Sequence, residues 1–174
     1  MRVIAGAYKG RTRPTAAKVR EAIFNILGSV AAEARVLDLF AGTGALGIEA
    51  LSRGARAAVF VEDHPEALQV LRRNLESLGL LAQATVLPLP VLAALKKLAS
   101  RSEPFDLVFL DPPYGGEAAQ ATLAALGSSE LLRPQGRVVA EHSKRESLPA
   151  LYGRLTLKDL RRYGDTQVAF YLAA

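Results

Sequence analysis

Short apolar runs and longer amphipathic stretches alternate from residue 35 almost to the end of the chain. The run at 36–40 is apolar except for Asp38 and stops at Gly42, the pattern of a buried strand. Residues 44–53 then carry Leu46, Ile48, Ala50 and Leu51 at helical spacing, and 57–61 is a second apolar run. Pro65 suits a first helical turn, and the helix it opens has Leu68, Leu71, Leu75 and Leu78 on one core-facing side before Gly79 ends it. A weaker strand at 85–87 leads to a helix at about 91–99. The run 105–110, stopped by Pro112 and Pro113, is the clearest strand; a helix at 117–126 and a strand at 137–140 repeat the unit. The tail differs: 155–160 and 167–172 predict two strands joined by 161–165, where Gly164-Asp165 signals a turn. Ahead of all this, 16–27 predicts a helix with Val19, Ile23, Ile26 and Leu27 on its apolar face. So short a helix needs a tertiary partner and is expected to pack on the sheet.

Strand–helix alternation implies right-handed crossovers, an α/β fold with a mostly parallel sheet, and helices on both faces. The terminal hairpin predicts one antiparallel strand at or near the sheet edge. The chain has 174 residues, half of them hydrophobic, which suits one domain. Within it, residues 1–30 are expected to form a basic arm and helix packed on a main domain, 31–174. No run approaches the ~18 uncharged apolar residues of a membrane helix. Arg2, Lys9, Arg11 and Arg13 leave no apolar core for a secretory leader. A cytoplasmic protein is the expectation.

Charge and composition narrow the chemistry. Residues 1–28 hold Arg2, Lys9, Arg11, Arg13, Lys18 and Arg20 against Glu21 alone, which accounts for the whole net charge of +5. A basic arm before a neutral domain suits a phosphate backbone, although a solvated terminus would look the same. The absence of cysteine removes disulfides, thiolate zinc sites and cysteine nucleophiles, and two histidines leave little for a metal site. No metal is expected.

Ligands of open α/β sheets bind outside the carboxyl ends of the strands. Three of those ends carry acids here: Asp38, Glu62 (with Asp63 beside it) and Asp111. The loop Gly42-Thr43-Gly44-Ala45-Leu46-Gly47 matches the dinucleotide fingerprint, with Glu62 about twenty residues on. Yet Asp38 would repel a diphosphate seated above the first strand and attract a sulfonium or an ammonium group. S-adenosylmethionine (SAM) carries both cations and no phosphate. On this reading Asp38, Gly42, Thr43, Gly44, Glu62 and Asp63 hold SAM, with Glu62 taking the ribose hydroxyls. An NAD(P)-dependent reductase is the rival reading, and glycines that merely make a tight turn are the plain one.

Asp111-Pro112-Pro113-Tyr114 ends the strand at 105–110. An exocyclic amine on a base is a poor nucleophile because its lone pair is delocalised into the ring. A carboxylate and a main-chain carbonyl that accept its two N–H groups favour a more pyramidal nitrogen; Asp111 and Pro112 suit those roles. The two prolines stiffen the loop, and Tyr114 offers a face for an extruded base. Guanine N2, adenine N6 and cytosine N4 all answer this description. Glu141-His142 closes the strand at 137–140 and could face substrate, although a hydrogen-bonded structural histidine is the favoured reading.

Asp38-Leu39-Phe40-Ala41-Gly42-Thr43-Gly44, Glu62 and Asp111-Pro112-Pro113-Tyr114 resemble motifs I, II and IV of class I amino-methyltransferases. Arg2-Val3-Ile4-Ala5-Gly6, Lys9-Gly10-Arg11, Arg13-Pro14-Thr15, Val19-Arg20-Glu21-Ala22-Ile23-Phe24-Asn25 and Tyr163-Gly164-Asp165-Thr166 resemble, more specifically, the RsmD-type enzymes that methylate a guanine N2 amine of 16S ribosomal RNA. The resemblance implies the Rossmann-like class I SAM methyltransferase fold, a seven-stranded sheet with its last strand antiparallel. It implies a monomer that acts on 16S rRNA within a 30S subunit or assembly intermediate. It also implies that the segment from Arg13 to Asn25 closes over the methionine end of SAM. Thr15 would then meet cofactor, and Lys9, Arg11, Arg13 and Arg20 would meet RNA. The chain departs from the pattern in two places. The stretch between Arg11 and Arg13 is short for the family, and Leu87-Pro88-Leu89-Pro90 lacks the polar side chain often found near adenine. DNA adenine-N6 methyltransferases share the D-P-P-Y string but normally carry further recognition elements.

Overall fold

A computed structural model describes residues 16–101, 103–115 and 117–174. After α1 (Ala16–Leu27) the chain alternates β1 (Arg35–Leu39), α2 (Ala45–Ser52), β2 (Ala57–Val61), α3 (Pro65–Ser77), β3 (Ala84–Leu87), α4 (Val91–Ala99), β4 (Phe105–Leu110) and α5 (Ala118–Gly127). Four strands end it: β5 (Leu132–Ser143), β6 (Leu151–Tyr152), β7 (Leu155–Tyr163) and β8 (Thr166–Ala173). One eight-stranded sheet results, in the order β3-β2-β1-β4-β5-β8-β7-β6. The strands β3, β2, β1, β4 and β5 are parallel.

The inner strands are buried almost throughout, successive side chains entering cores on opposite faces of the sheet, because helices cover both faces. Leu37 and Leu39 of β1, Val59 and Val61 of β2, and Val138 and Ala140 of β5 join α4 and α5 in one core. Val36, Ala58, Phe60, Leu107, Phe109 and Val139 join α1, α2 and α3 in the other. The helix α1 docks through Val19, Ile23, Phe24 and Leu27. The expected Ile26 is 36% exposed instead, and the Phe24 ring lies 5.5 Å from that of Phe109. Phe24 and Ile26 flank the Val19/Ile23/Leu27 stripe on opposite sides, and it is the Phe24 side that meets the sheet.

The carboxyl-terminal half departs from expectation in the length of β5 and in an added strand, β6. The strand expected at 137–140 is three times as long, because its first residue pairs with Phe105 across a register shift and its last three, 141–143, extend alongside β8. β8, the last strand, is antiparallel as expected and lies between β5 and β7, two strands in from the sheet edge. The hairpin strands run up to the two-residue turn Gly164-Asp165, where Gly164 takes φ +60° in the first position, as a type II′ turn requires. The eighth strand, β6, is only Leu151–Tyr152 against β7, too short to leave a periodic signal. None of the described helices is long and apolar enough to cross a membrane.

Candidate active site

The parallel register brings four strand ends level. Leu39 pairs with Val61 on one side and Leu110 on the other, and Leu110 pairs with Ala140. The residue that follows in each strand is Phe40, Glu62, Asp111 or Glu141, so three carboxylates emerge along one rim. Asp38 sits two residues below Phe40. With Asp63, the turn at 40–46 and Arg20 from α1, these acids line a cleft of about 630 Å³. Five carboxylates face one guanidinium among its described lining residues.

The turn at the end of β1 is shaped by its own backbone. Phe40 takes φ +57°, uncommon for a residue with a side chain, and Gly42 follows with φ +57°. Space is open beside Gly42, where a ligand could approach the main chain. At Gly47 a side chain would run into the Phe60 ring, so α2 lies close on β2 only because residue 47 lacks one. That closeness puts the Gly47 N–H 2.9 Å from Asp38 Oδ2, at the amino end of α2. Glu62 holds the turn from the other side. Its Oε2 accepts the Gly42 N–H at 2.8 Å, and its Oε1 accepts those of Asp63 and His64 at 3.0 Å each. From α3, the amide of Asn74, 1% exposed, donates to the Thr43 carbonyl at 2.9 Å.

Two consequences follow for what can bind. Burial pushes the Asp38 carboxyl well above the usual range; the Gly47 N–H opposes this, while Asp111 and Glu62 add to it. A cation in the cleft would relieve that repulsion. Meanwhile Glu62 and Asp38 already take the Gly42 N–H of the glycine turn and the Gly47 N–H at the helix amino end, which sets two carboxyl groups beside the backbone on which a dinucleotide diphosphate would rest. The chemistry of this donor set fits an adenosyl group that carries positive charge and does not fit a diphosphate. Glu62 has given three of its four acceptor positions to the backbone, so a ribose hydroxyl must use the remaining one or displace an N–H.

The loop after β4 divides two cavities. Asp111 and Pro113 line the acidic cleft, and Pro112 is buried. Tyr114 lines a neighbouring cavity, its hydroxyl 2.8 Å from Oγ1 of Thr166 at the start of β8. Gly115 N–H donates to Glu146 Oε1 at 2.9 Å, so the far end of the loop is fastened twice. Glu141 and His142 diverge as strand neighbours do: Glu141 lines the cleft, while His142 is 1% exposed with Nδ1 3.1 Å from the Ser143 carbonyl. Burial pushes its pKa down, which agrees with a structural histidine.

Of the residues singled out from the sequence, Asp38, Gly42, Thr43, Glu62, Asp63, Asp111 and Arg20 meet in this one cleft. Gly44, in left-handed backbone at φ +88°, precedes α2 beneath it. Arg20, assigned to RNA, lines the cofactor side. Thr15, Lys9, Arg11 and Arg13 lie outside the described residues. The segment 87–90 is not among the described residues that line the cleft. Sequence reasoning passed over Asn74, quoted Thr166 only within a resemblance, and had Glu141 as a residue that could face substrate, as its place in the cleft allows. Asn74 did leave a signal: it is a polar residue on the buried face of α3, between Leu71 and Leu75.

The family model described as conserved hypothetical protein 95 matches residues 1–172. A Bacillus subtilis protein named putative rRNA methyltransferase YlbH is 42% identical over 98% of this chain and 98% of its own. Ribosomal RNA small subunit methyltransferase D of Escherichia coli K12 is 34% identical over 99% of this chain and 88% of its own. Among solved structures, the putative methyltransferase yhhF from Escherichia coli superposes with a TM-score of 0.82 at 32% identity, over 99% of this chain and 97% of its own. On these matches the chain belongs to the conserved hypothetical protein 95 family, that of the ribosomal RNA small subunit methyltransferase D enzymes.

Proposed function

We propose that this chain is a SAM-dependent methyltransferase for the exocyclic N2 amine of a guanine in 16S rRNA. It acts as a monomer, in the cytoplasm, on a 30S subunit or assembly intermediate. The observation that carries the reading is the pair of carboxyl groups, Glu62 on the Gly42 N–H and Asp38 on the Gly47 N–H, set at the glycine turn beside a rim of further carboxylates. Bound in that cleft, SAM supplies an electrophilic methyl group on a cationic sulfur.

The chain's own groups do the rest by alignment and electrostatics. Gly42, Thr43 and Gly44 let the adenosyl group approach the main chain. Glu62 takes a ribose hydroxyl, Asp63 stands beside it, and Asp38 stabilises positive charge from below. Arg20 faces the same cleft and is suited to a carboxylate at the amino-acid end of the cofactor. Asp111 and the Pro112 carbonyl accept the two N–H groups of the incoming amine, leaving its lone pair directed across the cleft. Tyr114 supports the extruded base, its ring orientation fixed by Thr166. The arm that carries Lys9, Arg11, Arg13 and Thr15 supplies phosphate contacts and a cover over the cofactor. The choice of guanine and of small-subunit RNA follows the family, since the amine-binding groups alone accept several bases.

The test is methyl transfer from labelled SAM to unmodified 30S particles and, separately, to duplex DNA, followed by nucleoside mass spectrometry. N2-methylguanosine from the particles is expected. N6-methyladenine from DNA, with the particles untouched, would replace this reading by a DNA adenine methyltransferase. In the same assay Asp111→Ala is expected to lower turnover by about 100- to 1,000-fold while SAM affinity stays near wild type. Full activity in that variant would remove Asp111 from the chemistry.

A further inference from the structure

The cavity on the far side of the 111–115 loop is larger than the cofactor cleft, about 930 Å³, and opposite in character. Tyr114 and Tyr163 line it together with Lys18, Lys144 and Arg145. Lys144 is drawn 2.7 Å from Asp165, whereas Lys18 and Arg145 stand exposed at the rim. Tyr163 pairs across the hairpin with Thr166, the residue whose hydroxyl meets Tyr114, so both rings belong to one hydrogen-bonded wall. The loop therefore separates a cleft with five carboxylates and one guanidinium from a cavity with two aromatic rings and three cations, whose two acids, Asp165 and Glu146, are bonded to Lys144 and to the Gly115 N–H.

Resting on the function proposed above, we propose that this second cavity seats the RNA nucleotide adjoining the methylated guanine. In this arrangement Tyr163 stacks its base, and Lys18 and Arg145 hold the flanking phosphates. An extruded guanine whose amine reaches Asp111 draws its neighbours' backbone over Tyr114, and the cavity beyond has room for more than one planar base. Base stacking on tyrosine combined with phosphate contacts from lysine and arginine is how single-stranded RNA is gripped. Two tyrosine rings with three cations around them match the base and the flanking phosphates of a nucleotide. The Tyr114–Thr166 and Gly115–Glu146 hydrogen bonds link occupancy of this cavity to the loop that presents Asp111.

The experiment measures the KM for unmodified 30S particles, its dependence on salt, and the SAM dissociation constant by calorimetry. It compares wild type with Tyr163→Leu, Tyr163→Phe and the double variant Lys18→Ala/Arg145→Ala. Tyr163→Leu keeps an apolar group against the core and is expected to raise the RNA KM by on the order of tenfold, with Tyr163→Phe restoring it. The double variant is expected to raise the KM and make its logarithmic salt dependence shallower, by about 0.7 for each phosphate left without its cation. The SAM dissociation constant should not move in any of them. An unchanged KM and salt slope in an active enzyme would overturn this proposal alone. A raised KM with an unchanged slope would point to a ribosomal protein as the occupant and overturn it too. If wild type transfers no methyl group to the particles, the functional reading itself fails and this inference falls with it.

Discussion

Asp38 is 2% exposed and has one main-chain donor within reach, so its carboxyl is held protonated over a range in which the unfolded chain has already released the proton. The folded state then binds more protons than the unfolded state, and stability falls as pH rises from the unfolded value of about 3.9 through the folded one. Asp38→Asn removes the buried charge while its Oδ1 can still accept from Gly47. The melting temperature of the variant should match wild type at low pH and exceed it increasingly as pH rises to neutrality, read by thermal unfolding without cofactor. The same variant should bind SAM about 10- to 100-fold more weakly, the size of a missing interaction with a charged partner. Equal SAM affinity in both would take Asp38 out of cofactor binding. This residue was legible in the sequence because a lone acid interrupts an apolar run. Glu62 was legible by position only; that three backbone N–H groups occupy it depends on the turn geometry at 40–44, which no spacing reveals.

Elements behind the cleft set the shape of its two loops. Asn74→Leu fits the apolar surroundings on α3 but leaves the Thr43 carbonyl without its 2.9 Å donor. A loss of about 1–3 kcal/mol in urea unfolding is expected, together with weaker SAM binding. On the other side, Thr166→Val removes the hydroxyl that meets Tyr114. Turnover should fall several-fold at unchanged SAM affinity, with Thr166→Ser restoring it; no change in turnover would show that the Tyr114 ring needs no anchor. Strong periodicity or a proline stop made 57–61, 91–99 and 105–110 readable to the residue. What was not readable depends on partners distant in sequence. The length of β5 is set by β8, the inward turn of Phe24 by Phe109, and the opposite facing of Glu141 and His142 by where β5 pairs with β4 and β8.

At the scale of the molecule, most of the charge around the 111–115 loop is sorted by side. Acids gather at the carboxyl ends of β1, β2, β4 and β5, cations at α1 and the 143–146 turn, and the loop at 111–115 stands between them. That separation suits a reaction between a positively charged methyl donor and a polyanionic acceptor, because each is drawn to its own side. The order of the acids along the chain is visible in the sequence. Their convergence required the parallel strand order β2-β1-β4-β5, which alternation implied but did not rank.

Calorimetry on the wild-type protein, with SAM and NADH titrated side by side, decides whether the glycine turn is built for a cation or for a diphosphate. With the Glu62 and Asp38 carboxyl groups held against the glycine turn, where they would repel a diphosphate, SAM should bind with one-to-one stoichiometry and NADH should give no heat beyond dilution. Saturable NADH binding at an affinity equal to or above that of SAM would refute the assignment of this cleft to a cationic cofactor.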